Sequence, residues 1–532
     1  MQARNIFARF SLSAVALTAA LAAAPAGAEP RRADLFTPPA AVALTGLVKA
    51  STVQPIDALA APEAPPVVAL TAAKLRVEPA APDELDLAWN LLPENQRALA
   101  SALTDWTNAP DVARNAPRRA MRAKIAAAYV ARHFEPFWTD ANGWREGAAS
   151  AVTRLRAANE DGLDLRGLTI PAADAGAPSV ADELALSEAV ATYANQARGG
   201  RLEPQRLSRL IGAKTWLPDP AEAIAQVSGA GYRAGETLQD FNPPHFGYQQ
   251  LREKLAELRG RRAGLPEANE RVAAAEEGVA QTDAMPAVKS KRRRMETLGG
   301  ASTSAMEGEI LANMERWRWL PRDMGDERIE VNIPDFELAV IRNNMVAHRT
   351  RVIVGKVETP TPIFSNAMRE IIVNPSWYVP QSIIQKEWKG DVGAGYQVSY
   401  RNGQMVVRQP PGEKNALGRI KFVFPNDYAV YMHDTPSRGL FSQSHRAFSH
   451  GCMRVDQPFA LASAVLGPGS GWSEERVKKM IGPSERYINL TKPLPVHIVY
   501  FTAYVDDMGR LVQRPDLYGY SARVRKALGL GG

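Results

Sequence analysis

Between about residues 83 and 255, apolar positions recur with the period of a helix. Met121, Ile125 and Tyr129 fall at i, i+4 and i+8, and Leu186, Val190 and Tyr193 at i, i+4 and i+7, the spacing that gathers side chains on one helical face. Asp161-Gly162, Gly199-Gly200 and Pro218 punctuate these runs, as helix ends require. A helical domain is therefore expected over 83–255. A further helix carries Ile310, Met314 and Trp317 on one face and stops at Pro321. After it the period drops to two. Residues 329–333 alternate, and 336–341 and 345–354 flank Asn343-Asn344, a good hairpin turn. Shorter strand-like runs follow at 371–373, 420–424, 428–432 and 496–504, with a turn at 506–509. The pattern predicts a multidomain α+β chain, with a mostly β domain within 301–515 and a C-terminal tail at 516–532.

One stretch interrupts the strand rhythm. Residues 384–419 hold Gly390, Gly393, Gly395, Pro410, Pro411 and Gly412, and an insertion of this length is expected to be a functional lid, or cap, or else a disordered segment. Other segments lack a folding pattern. Residues 29–82 are rich in Ala and Pro and read as a flexible tether. Residues 256–300 are polar, end in Lys289, Lys291, Arg292, Arg293 and Arg294, and read as a solvated helix or linker. At the start, Arg4 and Arg9 precede the uncharged run Phe10 to Ala24, and Ala26-Gly27-Ala28 supplies a small-residue cleavage pattern. This is the form of a removable export signal over residues 1–28. The apolar run is shorter than the ~20 residues a membrane helix needs, so no permanent span is expected after cleavage.

Composition narrows the chemistry. A net charge of +7 on 532 residues is a modest excess, and no nucleic-acid partner is expected from it. The single cysteine, Cys452, excludes an internal disulfide framework and cysteine-rich zinc modules. In an exported chain a lone thiol calls for a reason.

That reason lies beside it. His433, His445 and His450 cluster just before Cys452, within the strings His433-Asp434 and Ser449-His450-Gly451-Cys452. A thiol of ordinary pKa needs a base to become a nucleophile, and Gly451 allows close approach to the backbone N–H groups that would bind an oxyanion. Acyl transfer is the chemistry such a set can do. A zinc site from His445, His450 and Cys452 fits less well, since structural zinc takes four ligands and His-x-Cys is an awkward spacing. Tyr431 shares a strand face with His433, and with Trp377 it is a candidate wall for a substrate groove.

The motif from His433-Asp434 to Ser449-His450-Gly451-Cys452-Met453-Arg454, with sixteen positions between His433 and Ser449, resembles the signature of the bacterial cell-wall L,D-transpeptidases, which share the YkuD-type β fold. Asn313-Met314-Glu315-Arg316, Trp319-Leu320-Pro321, Val331-Asn332-Ile333-Pro334, Asn374-Pro375 with Trp377, and Asn415-Ala416-Leu417-Gly418 are similar to the large periplasmic branch of that family, whose scaffold domain the helical region also resembles. The resemblance implies that Cys452 is the nucleophile and His433 the general base, oriented by the Asp434 carbonyl. His450 and Gly451 would shape the nucleophile's loop and the oxyanion site. Ser449 would steady the thiolate or satisfy the turn, and Arg454 would hold a substrate carboxylate or brace the loop. It further implies a periplasmic enzyme that needs no metal or organic cofactor, acts on peptidoglycan stem peptides, forms 3→3 cross-links through a thioester and is trapped by carbapenems. A carboxypeptidase, a lipoprotein-anchoring enzyme and a catalytically inactive wall-binding scaffold are the competing readings. Residues 256–300 depart from the branch, being too short and polar for its peptidoglycan-binding domain.

Overall fold

The computed structural model describes residues 92–173, 176–263, 303–386 and 392–531. The expected leader, the Ala/Pro tether and the basic cluster at 289–294 lie outside them. The chain divides into two compact units, 1–109 with 126–135, and 110–125 with 136–532. In the described part of the first, helix Glu94–Thr107 buries Leu99, Ala100 and Leu103.

Within the second unit the N-terminal part is helical. Helix Val180–Gly199 starts at a capping box, in which the Ser179 hydroxyl accepts from the Asp182 N–H and the Asp182 carboxylate accepts from the Ser179 N–H, satisfying donors that the first turn leaves open. Its buried face carries Leu186, Val190 and Tyr193, as their spacing predicts. Strands β1 (Thr139–Asp140) and β2 (Gly143–Trp144) add a short hairpin. Helix Phe246–Ala263 runs eight residues beyond the boundary expected at 255. Its Tyr248, Leu251 and Leu255 pack with Ile310, Leu311 and Met314 of the helix at 303–317. The apolar stripe at 310, 314 and 317 thus faces the helical region.

The β domain follows as β3 (Arg328–Asn332), β4 (Glu337–Arg342), β5 (Met345–Gly355), β6 (Phe364–Val373), β7 (Trp377–Tyr378), β8 (Gln397–Arg401), β9 (Gln404–Gln409), β10 (Ile420–Val423), β11 (Met432–His433), β12 (Ala447–Ser449), β13 (Met453–Val455), β14 (Arg486–Val499), β15 (Ala503–Val505) and β16 (Leu511–Gln513). The main sheet runs β12-β5-β13-β11-β10-β6-β14-β3-β4, and β4 pairs back onto β5. That pairing closes the eight strands from β5 round to β4 into a barrel, with β12 attached to β5 outside the ring. The hairpin β4–β5 turns at Asn343 and Asn344, with φ of 50° and 59°, the left-handed pair that a two-residue hairpin turn needs. Alternate residues of the strands, among them Val331, Val340, Val354, Ile371, Phe422, Met432, Met453 and Ile498, fill one core.

Two expectations need correction. Residues 516–531 are no loose tail: Tyr520–Ala527 is a helix, and Tyr518, Tyr520, Val524 and Leu528 are buried in the core of the β domain. The 384–419 stretch does contain strands. β8 and β9 turn at Asn402-Gly403, φ 50° and 76°, and β9 pairs with β7 to make a separate three-stranded sheet. Its small core holds Val379, Ile384 and Val407. All five residues of β8 are exposed, its alternating Val398 and Tyr400 included. Residues 397–409 of this stretch are a folded hairpin paired to β7 at Trp377–Tyr378. Among the described residues no helix is long and apolar enough to cross a membrane.

Candidate active site

The site is a face of the closed sheet. In β11 and β13 the buried Met432 and Met453 stand opposite one another in a parallel pairing, as do His433 and Arg454. Because side chains alternate along a strand, Tyr431, His433, Cys452 and Arg454 all turn to the side away from those methionines. The Met453 N–H donates to the Tyr431 carbonyl at 3.1 Å, which sets Cys452 beside Tyr431 and one diagonal step from His433. On the other flank β10 pairs antiparallel with β11 and sets Lys421 opposite His433. Ile420 and Phe422 are fully buried in the core, so Lys421 joins the same face. The sequence places these groups up to 33 positions apart (454 minus 421); only strand pairing brings them together.

Cys452 is a half-buried free thiol. Burial pushes its pKa up, while the Tyr431 main chain, Lys421, Arg454 and the Tyr431 hydroxyl favour the thiolate. Burial pushes the pKa of the Tyr431 hydroxyl up, and both Cys452 and Trp377 act on it electrostatically. Trp377 belongs to β7, so the small three-stranded sheet is the element that carries this influence to Tyr431.

The His433 Nδ1 hydrogen-bonds the Asp434 main-chain carbonyl. A carbonyl can only accept, so Nδ1 carries the proton and Nε2 is left as the basic nitrogen. Burial pushes the imidazole down to about 3, the Arg454 charge adds to this, and the Asp434 and Leu417 carbonyls oppose it. The ring is therefore neutral at physiological pH. The buried Asp434 carboxylate does different work: it accepts from the Arg419 N–H at 2.8 Å and the Thr435 N–H at 2.7 Å, and pairs with Arg438 at 2.6 Å. Gly418, at φ +61°, passes so close to Asp434 that a Cβ would lie 2.4 Å from its carboxyl carbon. The Asn415-Ala416-Leu417-Gly418 string is thus the turn that seats His433's neighbour.

The loop that carries Cys452 is fastened from both sides. Gly451 has φ +116°, a conformation L side chains avoid. The buried Ser449 hydroxyl accepts from the Gly451 N–H at 3.1 Å and donates to the Cys452 carbonyl. Ser449 is thereby committed to the loop's own backbone. The Gly451 N–H is also occupied, leaving the Cys452 N–H as the oxyanion donor to consider. The Gly451 carbonyl accepts from the Thr361 hydroxyl at 2.9 Å; that hydroxyl accepts from the Gly355 N–H at 2.8 Å, and the Tyr518 hydroxyl donates to the Gly355 carbonyl at 2.6 Å. His450 is exposed. His445 lies edge-on to Phe336, ring centroids 5.6 Å apart. Among the described residues no group of His, Cys, Asp and Glu is arranged to hold a metal.

Three residues of this assembly escaped the sequence reading. Lys421 was detectable, since its strand was recognised and alternation alone turns it away from Ile420 and Phe422. Thr361 and Tyr518 carried no signal, because neither lies near the motif in sequence.

Comparison with known proteins agrees with this geometry. Residues 326–488 match the L,D-transpeptidase catalytic domain family, YkuD, and residues 123–255 match the Scaffold domain family. The chain is 32% identical over 248 residues to a Haemophilus influenzae protein named "Putative L,D-transpeptidase", covering 41% of this chain and 49% of that protein. It thus spans about half the length of that curated relative. Among solved structures it is similar to an L,D-transpeptidase from Mycobacterium smegmatis, at 14% identity over 33% of this chain and 58% of that one, TM-score 0.18. It is also similar to the LD transpeptidase LdtMt1 in complex with imipenem, at 16% identity over 33% and 59%, TM-score 0.18. Scores this low leave the assignment resting on the sequence matches. Those matches cover the sheet that carries Cys452 and the helices before it, and the chain accordingly holds a YkuD L,D-transpeptidase catalytic domain joined to a Scaffold domain.

Proposed function

We propose that this chain is a periplasmic L,D-transpeptidase that joins peptidoglycan stem peptides through a thioester on Cys452. The reading is carried by the β11–β13 register, which sets Cys452 one diagonal step from an imidazole whose Nδ1 is occupied by the Asp434 carbonyl. As the Cys452 sulfur attacks the carbonyl between the third residue of a donor stem, a diamino acid, and its D-Ala, His433 Nε2 takes the thiol proton. The oxyanion that forms faces the Cys452 N–H. The C–N bond then breaks, D-Ala leaves with the proton from His433, and the diamino-acid carbonyl remains as the thioester. An amine from a second stem attacks next; His433 removes its proton and the thiolate departs. The product is a 3→3 cross-link.

The capping hairpin, reaching the site through Trp377, would shield the thioester from water and so favour an amine acceptor. Removing residues 397–409 should then raise hydrolysis over cross-linking. The export signal read in the first 28 residues supports the compartment.

Intact-mass spectrometry after incubation with a carbapenem tests the nucleophile. One adduct is expected, and Cys452→Ala should lose it together with all cross-linking; surviving activity would refute the assignment and point to another nucleophile, whereas a parent chain that neither forms the adduct nor cross-links would favour a wall-binding scaffold. Product analysis of digested wall tests the acceptor: cross-linked dimers support the proposal, whereas trimmed tripeptides or attached lipoprotein would replace it with the hydrolytic or anchoring reading.

A further inference from the structure

The resemblance assigns nothing to Lys421, yet the fold sets it into the active face. Its ammonium lies 3.9 Å from the centre of the Tyr431 ring; that ring stands 5.7 Å from the His433 ring, the Met453 N–H to Tyr431 carbonyl bond sets Cys452 beside it, and its hydroxyl favours the thiolate. Lys421 is half-buried. Among acidic groups Cys452 acts on it more strongly than Glu485 or Glu370, and Cys452 is the acid that acts on Arg454. With His433 neutral, this face holds two cations, and among the described residues the acidic groups that act on them are Cys452 first and then, on Lys421, Glu485 and Glu370. An enclosed charge without a counter-charge is costly, and the cost falls when an anion forms beside it. The thiolate is that anion.

We propose that Lys421 is a positioning residue of the active site: seated on the Tyr431 ring, it holds the Tyr431 hydroxyl against the Cys452 sulfur and supplies positive charge that stabilises the thiolate. A cation over an aromatic face is attracted to the ring, so Lys421 fixes the ring's place and draws electron density from the phenol, making its O–H a better donor. The effect serves both halves of the reaction. It favours the thiolate when the thiol gives up its proton, and favours it again as the leaving group when the thioester is resolved. The inference rests on Cys452 being the nucleophile of the proposed reaction.

The test needs no stem peptide. Cys452 is the sole cysteine, so the rate of its alkylation by iodoacetamide, followed across pH by intact mass on the full chain, reports its ionisation. Lys421→Met should move the profile up by about one pH unit, about a tenfold slower reaction at pH 8. Lys421→Arg, which keeps the charge, should stay within about threefold of the parent. Tyr431→Phe should shift the profile in the same direction as Lys421→Met, and adding Lys421→Met to Tyr431→Phe should cost no more than about twofold further. An unmoved profile in Lys421→Met, or a Lys421→Arg variant as slow as Lys421→Met, would overturn the proposal. So would a full tenfold loss in the Tyr431→Phe background, since Lys421 would then act without the ring. Lys421→Gln replaces Lys421→Met should that variant melt below the assay temperature. Failure here would leave carbapenem acylation of the parent intact, whereas failure of the transpeptidase reading would leave the alkylation profiles as they are.

Discussion

Around Asp161 the enclosed charges are matched, and around Cys452 they are not. The Asp161 carboxylate, fully buried, meets Arg252 at 2.7 Å, Arg154 at 3.2 Å and the Tyr193 hydroxyl at 2.6 Å. Nearby, Arg318 donates to the Asn242 side chain at 3.2 Å and the Tyr248 hydroxyl at 3.0 Å, and Arg316 to Asn313 at 3.0 Å and Ser521 at 2.8 Å. These groups tie the helix at 303–317 to its neighbours. On the catalytic face Lys421 and Arg454 converge on a thiol instead. A matched set has one low-energy arrangement and holds it, while an unmatched set is stabilised by whatever anion arrives. The first is architecture and the second is a place for chemistry.

Breaking the matched set should have the largest effect. Asp161→Ala removes the buried carboxylate that Arg154 and Arg252 share, leaving them only the more exposed Glu160, and should cost about 3–5 kcal/mol, read as a lowered denaturation midpoint with unchanged slope. A variant as stable as the parent would erase the distinction.

On the other side, His433→Ala should slow carbapenem acylation by about 10²–10⁴-fold with little change in stability. The pH dependence sharpens this. With the imidazole pushed down to about 3, its basic nitrogen is unprotonated at every pH above that. Acylation should be flat between pH 5 and 7 to within about twofold, as measured by stopped-flow or quenched mass spectrometry. A tenfold loss over that interval would mean the ring titrates near its ordinary value. The same depressed pKa contributes stability that is complete above the unfolded value of ~6.5 and lost as pH falls toward 3, because the unfolded chain then binds the extra proton.

Gly451→Ala places a side chain at φ +116° and should cost about 1–3 kcal/mol while slowing acylation, since the loop would relax by moving the nucleophile. Space is not the obstacle, for the nearest atom to a new Cβ lies at 3.5 Å. The smallest effect is expected from removing an unmatched charge: Lys421→Met should stay within about 1 kcal/mol of the parent in chemical denaturation, even as it shifts the thiol. A loss comparable to that of Asp161→Ala would show that Lys421 belongs with the architecture.

Local rules carried much of the fold. The helical stripe at Leu186, Val190 and Tyr193 and the Asn343-Asn344 hairpin stand as their spacing predicts, because each needs only neighbours in sequence. The β8–β9 hairpin is not legible even though Asn402-Gly403 is a strong turn signal, since its strands are short and sit among the glycines and prolines of the 384–419 stretch. Asp161 read only as a turn residue beside Gly162. Its buried role comes from Arg252, 91 positions away, and no local pattern contains that. The same holds for Tyr518, taken for tail, whose hydroxyl reaches Gly355 across 163 positions.

The amino-acid sequence by itself determined which groups could react: one thiol, a histidine sixteen positions before Ser449, and a glycine free to take a backbone shape that other residues avoid. Tertiary structure alone decided how those groups meet, through a parallel pairing of β11 with β13 that aligns two short strands from separate parts of the chain. Alternation along a strand says which residues share a face, but strand partners and their register are chosen by the packing of the whole core. That is why Lys421, silent in the motif, stands over the ring beside Cys452.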